Sequence, residues 1–187
     1  LQEKILLPSS LQLRARAEQE LRKRQKTGDI LTPPADWQDR LRALFPRYFS
    51  QPFAARHTEF WEWVTAMRPG ERPRPFAAFW GRGGAKSTNA EAAVVDLGAR
   101  GVCRYVWYVS GTQDKADSHV ASIAEMMQSS QVSRYYPDMS RRAMNKYGSS
   151  KGWRRNRLRT ASGFTVDSLG LDTGARGSTT TFVERGI

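Results

Sequence analysis

Cysteine occurs once in 187 residues, at Cys103, so no disulfide can form within the chain and no zinc site built on several thiolates is available. Histidine is nearly as scarce. His57 and His119 stand without partner ligands at metal spacing, and both are expected to be packing or surface residues. No Ser-His-Asp order or paired-carboxylate pattern is legible, so hydrolase chemistry of those kinds is unsupported. Long apolar runs are missing too. The strongest, Pro75 to Trp80 and Val102 to Val109, fall far short of the ~20 residues that a bilayer span needs. Leu1 to Pro8 lacks the basic, apolar and small-residue succession of a secretion signal, which with the single cysteine points to an intracellular setting. There is no initiator methionine, which leaves room for an upstream start. Acidic residues are in the minority, 18 against 30 Lys and Arg, for a formal charge of +12. That excess favours a polyanionic partner, because clustered cations displace the counterions held around nucleic-acid phosphates. A membrane surface or an acidic protein would satisfy the same charge.

What is present suits one hydrophobic core, with 39% hydrophobic residues and room for little more than a single domain. Residues 1–36 read as a basic arm or linker, in which Leu11 to Lys26 carries Leu13, Ala17 and Leu21 on one helical stripe. Gly28, Pro33 and Pro34 end it. Residues 37–187 form the expected domain. Trp37 to Tyr48 and Phe53 to Met67 read as aromatic-rich helical segments, and Pro69, Gly70, Pro73 and Pro75 make a second break. Phe76 to Trp80 then suits a buried strand, Ser87 to Leu97 a helix, Arg104 to Ser110 a strand and Asp114 to Gln128 another helix. Leu158 to Ala161 and Phe164 to Ser168, parted by Ser162-Gly163, look like a hairpin, and Thr180 to Val183 a further strand. The order strand, Gly-rich turn, helix, strand, helix predicts an α/β fold with a parallel sheet flanked by helices. The aromatics Trp61, Trp63, Phe79, Trp107 and Tyr108 are expected in the core, and Cys103 at a buried strand edge.

Between the first expected strand and its helix lies Gly81-Arg82-Gly83-Gly84-Ala85-Lys86-Ser87-Thr88. A phosphate-binding loop needs consecutive N–H groups turned toward an anion, glycines where side chains would obstruct the turn, and a helix N-terminus behind it. Lys86 then stands where a cation would meet the β and γ phosphates, and Ser87 where a hydroxyl would reach Mg²⁺. The strict G-x-x-x-x-G-K-[ST] pattern is not met, since Ala85 replaces its last Gly and Trp80 its first. Arg82 can act as an arginine finger within the chain or face solvent.

Three segments in order resemble the phage terminase large subunits that power DNA packaging: FAAFWGRGGAKST (76–88), YVWYVSGTQDKADSHVASI (105–123) and RTASGFTVDSLGLDTGARG (159–177). FPRYFSQPFAARHTEFWEWV (45–64) is similar to the segment that precedes their motor fold and frames the adenine pocket. The resemblance implies a P-loop NTPase fold of the RecA or ASCE kind. It makes Lys86 and Arg82 the catalytic residues, residues Gly81 to Thr88 the nucleotide-binding loop and Ser87 the Mg²⁺ ligand. Arg176 is a weaker candidate for an intersubunit arginine. ATP and Mg²⁺ are the implied cofactors. Double-stranded DNA, a portal ring, a small terminase subunit and further copies of the chain are the implied partners, none of them a membrane, in the host cytoplasm. Terminases continue with an apolar strand ending in paired carboxylates and with a nuclease domain, whereas this sequence stops at Ile187. The fold is therefore expected to be incomplete at the C-terminus, with nucleotide binding and little turnover.

Arg141, Arg142, Lys146, Lys151, Arg154, Arg155, Arg157 and Arg159 crowd a stretch that also holds Tyr147 and Trp153. Phosphate contact with aromatic stacking is one reading of it, and a solvated or subunit-facing loop the other. Arg154, Arg155 and Arg157 are the residues singled out for DNA or subunit contact. Two rivals stand beside the packaging motor: a helicase-like DNA-dependent ATPase, and a non-enzymatic basic module that binds nucleic acid.

Overall fold

The computed structural model describes residues 30–173, and the compact unit begins at Thr32. The expected arm helix at Leu11 to Lys26, the strand at Thr180 to Val183 and Arg176 lie outside the described residues.

Helix α1 (Trp37–Leu44) starts at Asp36, whose carboxylate accepts from the N–H groups of Gln38 and Asp39 at 2.8 and 3.1 Å. Helix α2 (Ala55–Ala66) follows, then α3 (Lys86–Ala99), strand β1 (Tyr105–Ser110) and α4 (Gln113–Met127). Thr112 caps α4 by accepting from the N–H of Lys115, and Ser129 likewise caps α5 (Ser130–Tyr135) through Val132. A short α6 (Pro137–Ser140) opens on proline, where a missing N–H costs nothing. Strands β2 (Arg157–Arg159) and β3 (Thr165–Gly170) complete the order.

The sheet runs β1-β3-β2, with β1 parallel to β3 and β2 antiparallel to it. The protein is thus mixed α and β, and the expected parallel sheet is corrected to a mixed one, in which the expected β2–β3 hairpin supplies the antiparallel pair. The cause is local. Gly163, at φ +88°, turns the chain sharply between β2 and β3, and a hairpin can only be antiparallel. Side-chain alternation sends Val106, Tyr108, Leu158 and Val166 to one face of the sheet. There they join Val120, Ile123 and Met127 of α4 and Ala92 and Val95 of α3 in one core, which Trp61 and Val64 of α2 and Leu41 and Leu44 of α1 extend. At the far end of the parallel pair, Gly170 passes so close to α4 that an added Cβ would lie 2.2 Å from the N of Gln113.

A second correction concerns Phe76 to Trp80. This segment forms no strand and pairs with none of the three strands. Alternate residues Phe76, Ala78 and Trp80 turn inward, and the rings of Phe76 and Trp80 pack edge-on against Phe60 at 5.6 and 5.8 Å. Aromatic contact with α2 holds the segment in place of a hydrogen-bonded ladder. Phe79, expected in the core, points outward and is 94% exposed.

Under the core lies a buried ionic knot. The carboxylate of Asp96 on α3, fully buried, accepts from Arg40 of α1 at 2.8 Å and from Arg100 at 2.7 Å. Arg40 also donates to the carbonyl of Ala35, and Arg100 to that of Val64 at the end of α2. Every charge in the knot is paired, which is what burial of charge requires.

Candidate functional site

Residues 81–88 fold into a turn that ends in the first residues of α3. Gly83 takes φ +77°, and Ala85 sits in the left-handed region at φ +55°, ψ +28°, the one non-glycine residue at positive φ among those described. For an L-residue with a Cβ that conformation costs about 1–2 kcal/mol, so the loop holds Ala85 in a shape suited to glycine. Gly84 is buried, and a Cβ there would lie 3.1 Å from the carbonyl oxygen of Gly81 and 3.3 Å from the Cβ of Trp80. The turn from a left-handed residue into a right-handed helix points successive amides into one concavity. The N–H groups of Ala85, Lys86, Ser87 and Thr88 have no backbone acceptor among the described residues.

The concavity has a volume of about 360 Å³ and is lined by Trp80, Gly81, Arg82, Gly83, Gly84, Ala85, Lys86, Ser87 and Thr88. The Lys86 ammonium turns back across the loop, 3.4 Å from the carbonyl of Trp80. Arg82 is exposed and has no ion pair among the described residues, and Ser87 is also exposed. All the sequence-predicted loop residues are therefore brought together. The lining offers two cations, hydroxyls and free amides, with no carboxylate. Chemically that set can accept an anion and offset its charge.

Helix α2 backs the loop, a role that sequence reading missed. His57, expected to be a bland packing or surface residue, places Nε2 3.1 Å from the carbonyl oxygen of Gly84, while its Nδ1 accepts from the N–H of Ala54. One turn later, Trp61 donates its indole N–H to Asn89 Oδ1 at 2.7 Å, and Asn89 Nδ2 donates to the carbonyl of Ala85 at 2.8 Å. Arg56 stands at the same edge: its Nε lies 3.7 Å from where a Gly84 Cβ would be. The only sequence signal for these contacts was the spacing of His57 and Trp61, four apart and so on one helix face.

The second histidine has a partner too. His119 Nδ1 lies 2.6 Å from Glu91 Oε1, and its ring packs on Tyr108 at 4.9 Å. Burial, and then the Glu91 carboxylate, push the Tyr108 hydroxyl up to about 12. Burial likewise pushes the thiol of the half-buried Cys103 up.

The arginines singled out for DNA or subunit contact divide. Arg155 is engaged with Asp114 at 2.9 Å and Asp117 at 3.3 Å. Arg157 grips Asp167 with two donors, at 2.6 and 2.5 Å, and Tyr105 adds its hydroxyl to the same carboxylate at 2.6 Å. Burial pushes the Asp167 carboxyl up, but these hydrogen bonds outweigh it and hold the group below its usual range. The bond to Asp167 raises Arg157 above its ordinary value. Arg154 is exposed and has no side-chain partner among the described residues. Of the neighbouring cations, Arg142 lies over the Trp153 ring at 5.1 Å and Lys146 over Tyr147 at 4.8 Å.

The short turn from β1 into α4 leads to a further polar centre. Gln113 donates to Asp117 at 2.6 Å and to Ser168 at 2.8 Å, and accepts from the N–H of Gly170 at 2.9 Å, so it ties the C-terminal end of β3 to α4. No helix among the described residues is long and apolar enough to cross a membrane. Comparison of the chain with protein-family models, with the curated proteins and with the solved structures returned no match.

Proposed function

We propose that this chain is the ATP-binding portion of a DNA-packaging motor of the phage terminase large-subunit type. The observation that carries the reading is a concavity at the start of a 14-residue helix, lined by Arg82, Lys86 and the residues of four amides that have no backbone acceptor among the described residues. A polyphosphate anion satisfies all of them at once, with the helix dipole adding to the attraction. In this reading Lys86 meets the β and γ phosphates, the Ser87 hydroxyl takes Mg²⁺, and Arg82 contributes charge as the terminal phosphate departs. ATP supplies the phosphoryl group, and the chain's own residues hold and neutralise it.

The assignment to packaging, in place of a helicase-like ATPase, leans on the segments 76–88, 105–123 and 159–177 and their order along the chain. Duplex DNA, a portal ring, a small subunit and further copies of the chain are its partners in that setting, at the site of virus assembly in the host cytoplasm. Titration of Mg-ATP into the wild type and into Lys86→Ala tests the nucleotide reading. The expected result is saturable binding weakened by about 100-fold in the variant, the scale of removing one charge-assisted hydrogen bond to a multiply charged anion. Equal and negligible binding in both proteins would instead favour a basic nucleic-acid-binding module without nucleotide chemistry.

A further inference from the structure

We propose that His57 and Asn89 are positioning residues for the phosphate loop, each tying back one loop carbonyl so that the amides of Ala85 and Lys86 face a bound polyphosphate. The inference rests on the reading of residues 81–88 as a nucleotide site. In a trans peptide the C=O and the following N–H lie in one plane and point in opposite directions. Fixing the Gly84 carbonyl toward α2 therefore aims the Ala85 N–H away from it, into the concavity. Fixing the Ala85 carbonyl does the same for the Lys86 N–H.

The donor assignments follow from chemistry. An indole N–H can only donate, so the Asn89 atom 2.7 Å from Trp61 is its oxygen, and the amide nitrogen is what faces the Ala85 carbonyl. The N–H of Ala54 can also only donate, so His57 Nδ1 carries a lone pair and Nε2 carries the proton given to Gly84. Trp61 is fully buried and Asn89 nearly so, at 2% exposure, which fixes the second tie rigidly. Ala85 sits at positive φ without being glycine, so its peptide planes need holding; these two ties hold them together with the backbone N–H of Asn89, which also donates to the Ala85 carbonyl at 2.9 Å. Because His57 and Trp61 lie on one stripe of α2, a shift of that helix turns both peptides together. The position of α2 thereby sets the affinity of the loop for its anion.

The test is calorimetric titration of Mg-ATP into the full chain as wild type, Lys86→Ala, His57→Ala and His57→Gln, with thermal unfolding of each. The expected result is about tenfold weaker binding in His57→Ala, the scale of one neutral hydrogen bond converted to affinity, at a melting temperature close to wild type. His57→Gln, whose side-chain amide can donate to Gly84, should recover most of the loss. Binding by His57→Ala within twofold of wild type, alongside weakened binding in Lys86→Ala, overturns the positioning role and leaves the nucleotide reading standing. Failure of the wild type itself to bind overturns both. Nitrogen-15 spectra of the wild-type imidazoles add a test that needs no variant. A proton on His57 Nε2 alone is expected, and a proton found instead on Nδ1 overturns the proposal.

Discussion

Ala85 shows how one residue can carry two opposing effects on stability. The strict motif has glycine there, and the left-handed backbone at φ +55° explains the preference. Alanine keeps the same turn at a cost, while in the unfolded chain it has less freedom to lose than glycine. The two effects oppose each other, and at φ > 0 the conformational penalty is the larger. Ala85→Gly is therefore expected to raise stability by ~0.5–1 kcal/mol, read as a shift in denaturant midpoint at unchanged slope. Tyr108 allows a test by pH. Its hydroxyl is pushed from 10.0 up to about 12, so between those values the folded protein keeps a proton that the unfolded chain releases. The stability tied to this group is complete below pH 10 and is lost as pH rises through 12. Tyr108→Phe should accordingly lose less melting temperature than wild type between about pH 9 and pH 11.5. Parallel decline in the two proteins would remove the burial argument.

Among the elements, the longer helices were legible because their signals are local. Asp36 and Thr112 each stand one residue before a helix and accept from its first turn, so the starts of α1 and α4 are written in the sequence, whereas α5 and α6 are too short to show a helical period and were not expected. The β2–β3 hairpin was legible for the same reason, through Ser162-Gly163. Phe76 to Trp80 was not, because five apolar residues suit a buried strand and an aromatic seam equally. What decides between them is Phe60, far from Phe76 in sequence and 5.6 Å from it ring to ring. The loop itself could be read from its glycines and Lys86, whereas its two ties to α2 depend on a fold that places His57 27 residues from Gly84 in sequence and 3.1 Å from it in space. The Asp96 knot was invisible on the same grounds. It joins α1, the end of α2 and α3, and Asp96→Ala would leave the Arg40 guanidinium buried at 7% exposure without its carboxylate. Breaking one side of such a pair costs about 3–5 kcal/mol, so this variant should lose cooperative unfolding or melt far below wild type. Asp39→Ala is the control: its partner Arg42 is 3.6 Å away and both are exposed, so little change is expected.

For the whole molecule, the count of 30 Lys and Arg overstates the cations that are free to meet a polyanion. Arg155 and Arg157 commit their charge to Asp114, Asp117 and Asp167, and Arg141 commits its own to Asp138. Arg154, Lys151 and Arg159, all exposed and without ion pairs among the described residues, remain on the same stretch. If duplex DNA is the partner, these three should share the phosphate contacts there, and the binding should not depend on sequence, because phosphates position without specifying. Removing two of them in Lys151→Ala/Arg154→Ala is expected to weaken duplex binding uniformly across sequences. The slope of log affinity against log salt should flatten by about 0.9 for each phosphate that is no longer neutralised, at a melting temperature near wild type. Arg157→Ala should behave in the opposite way, because it strips a nearly buried carboxylate of its main donor. Its melting temperature should fall, most clearly above the usual range of a free aspartate, since the folded-state carboxyl of Asp167 is held low and that stability is present there and lost on acidification. An unchanged salt slope in the double variant would move any DNA contact away from this stretch, and an unchanged melt in Arg157→Ala would return that arginine to the pool of free cations.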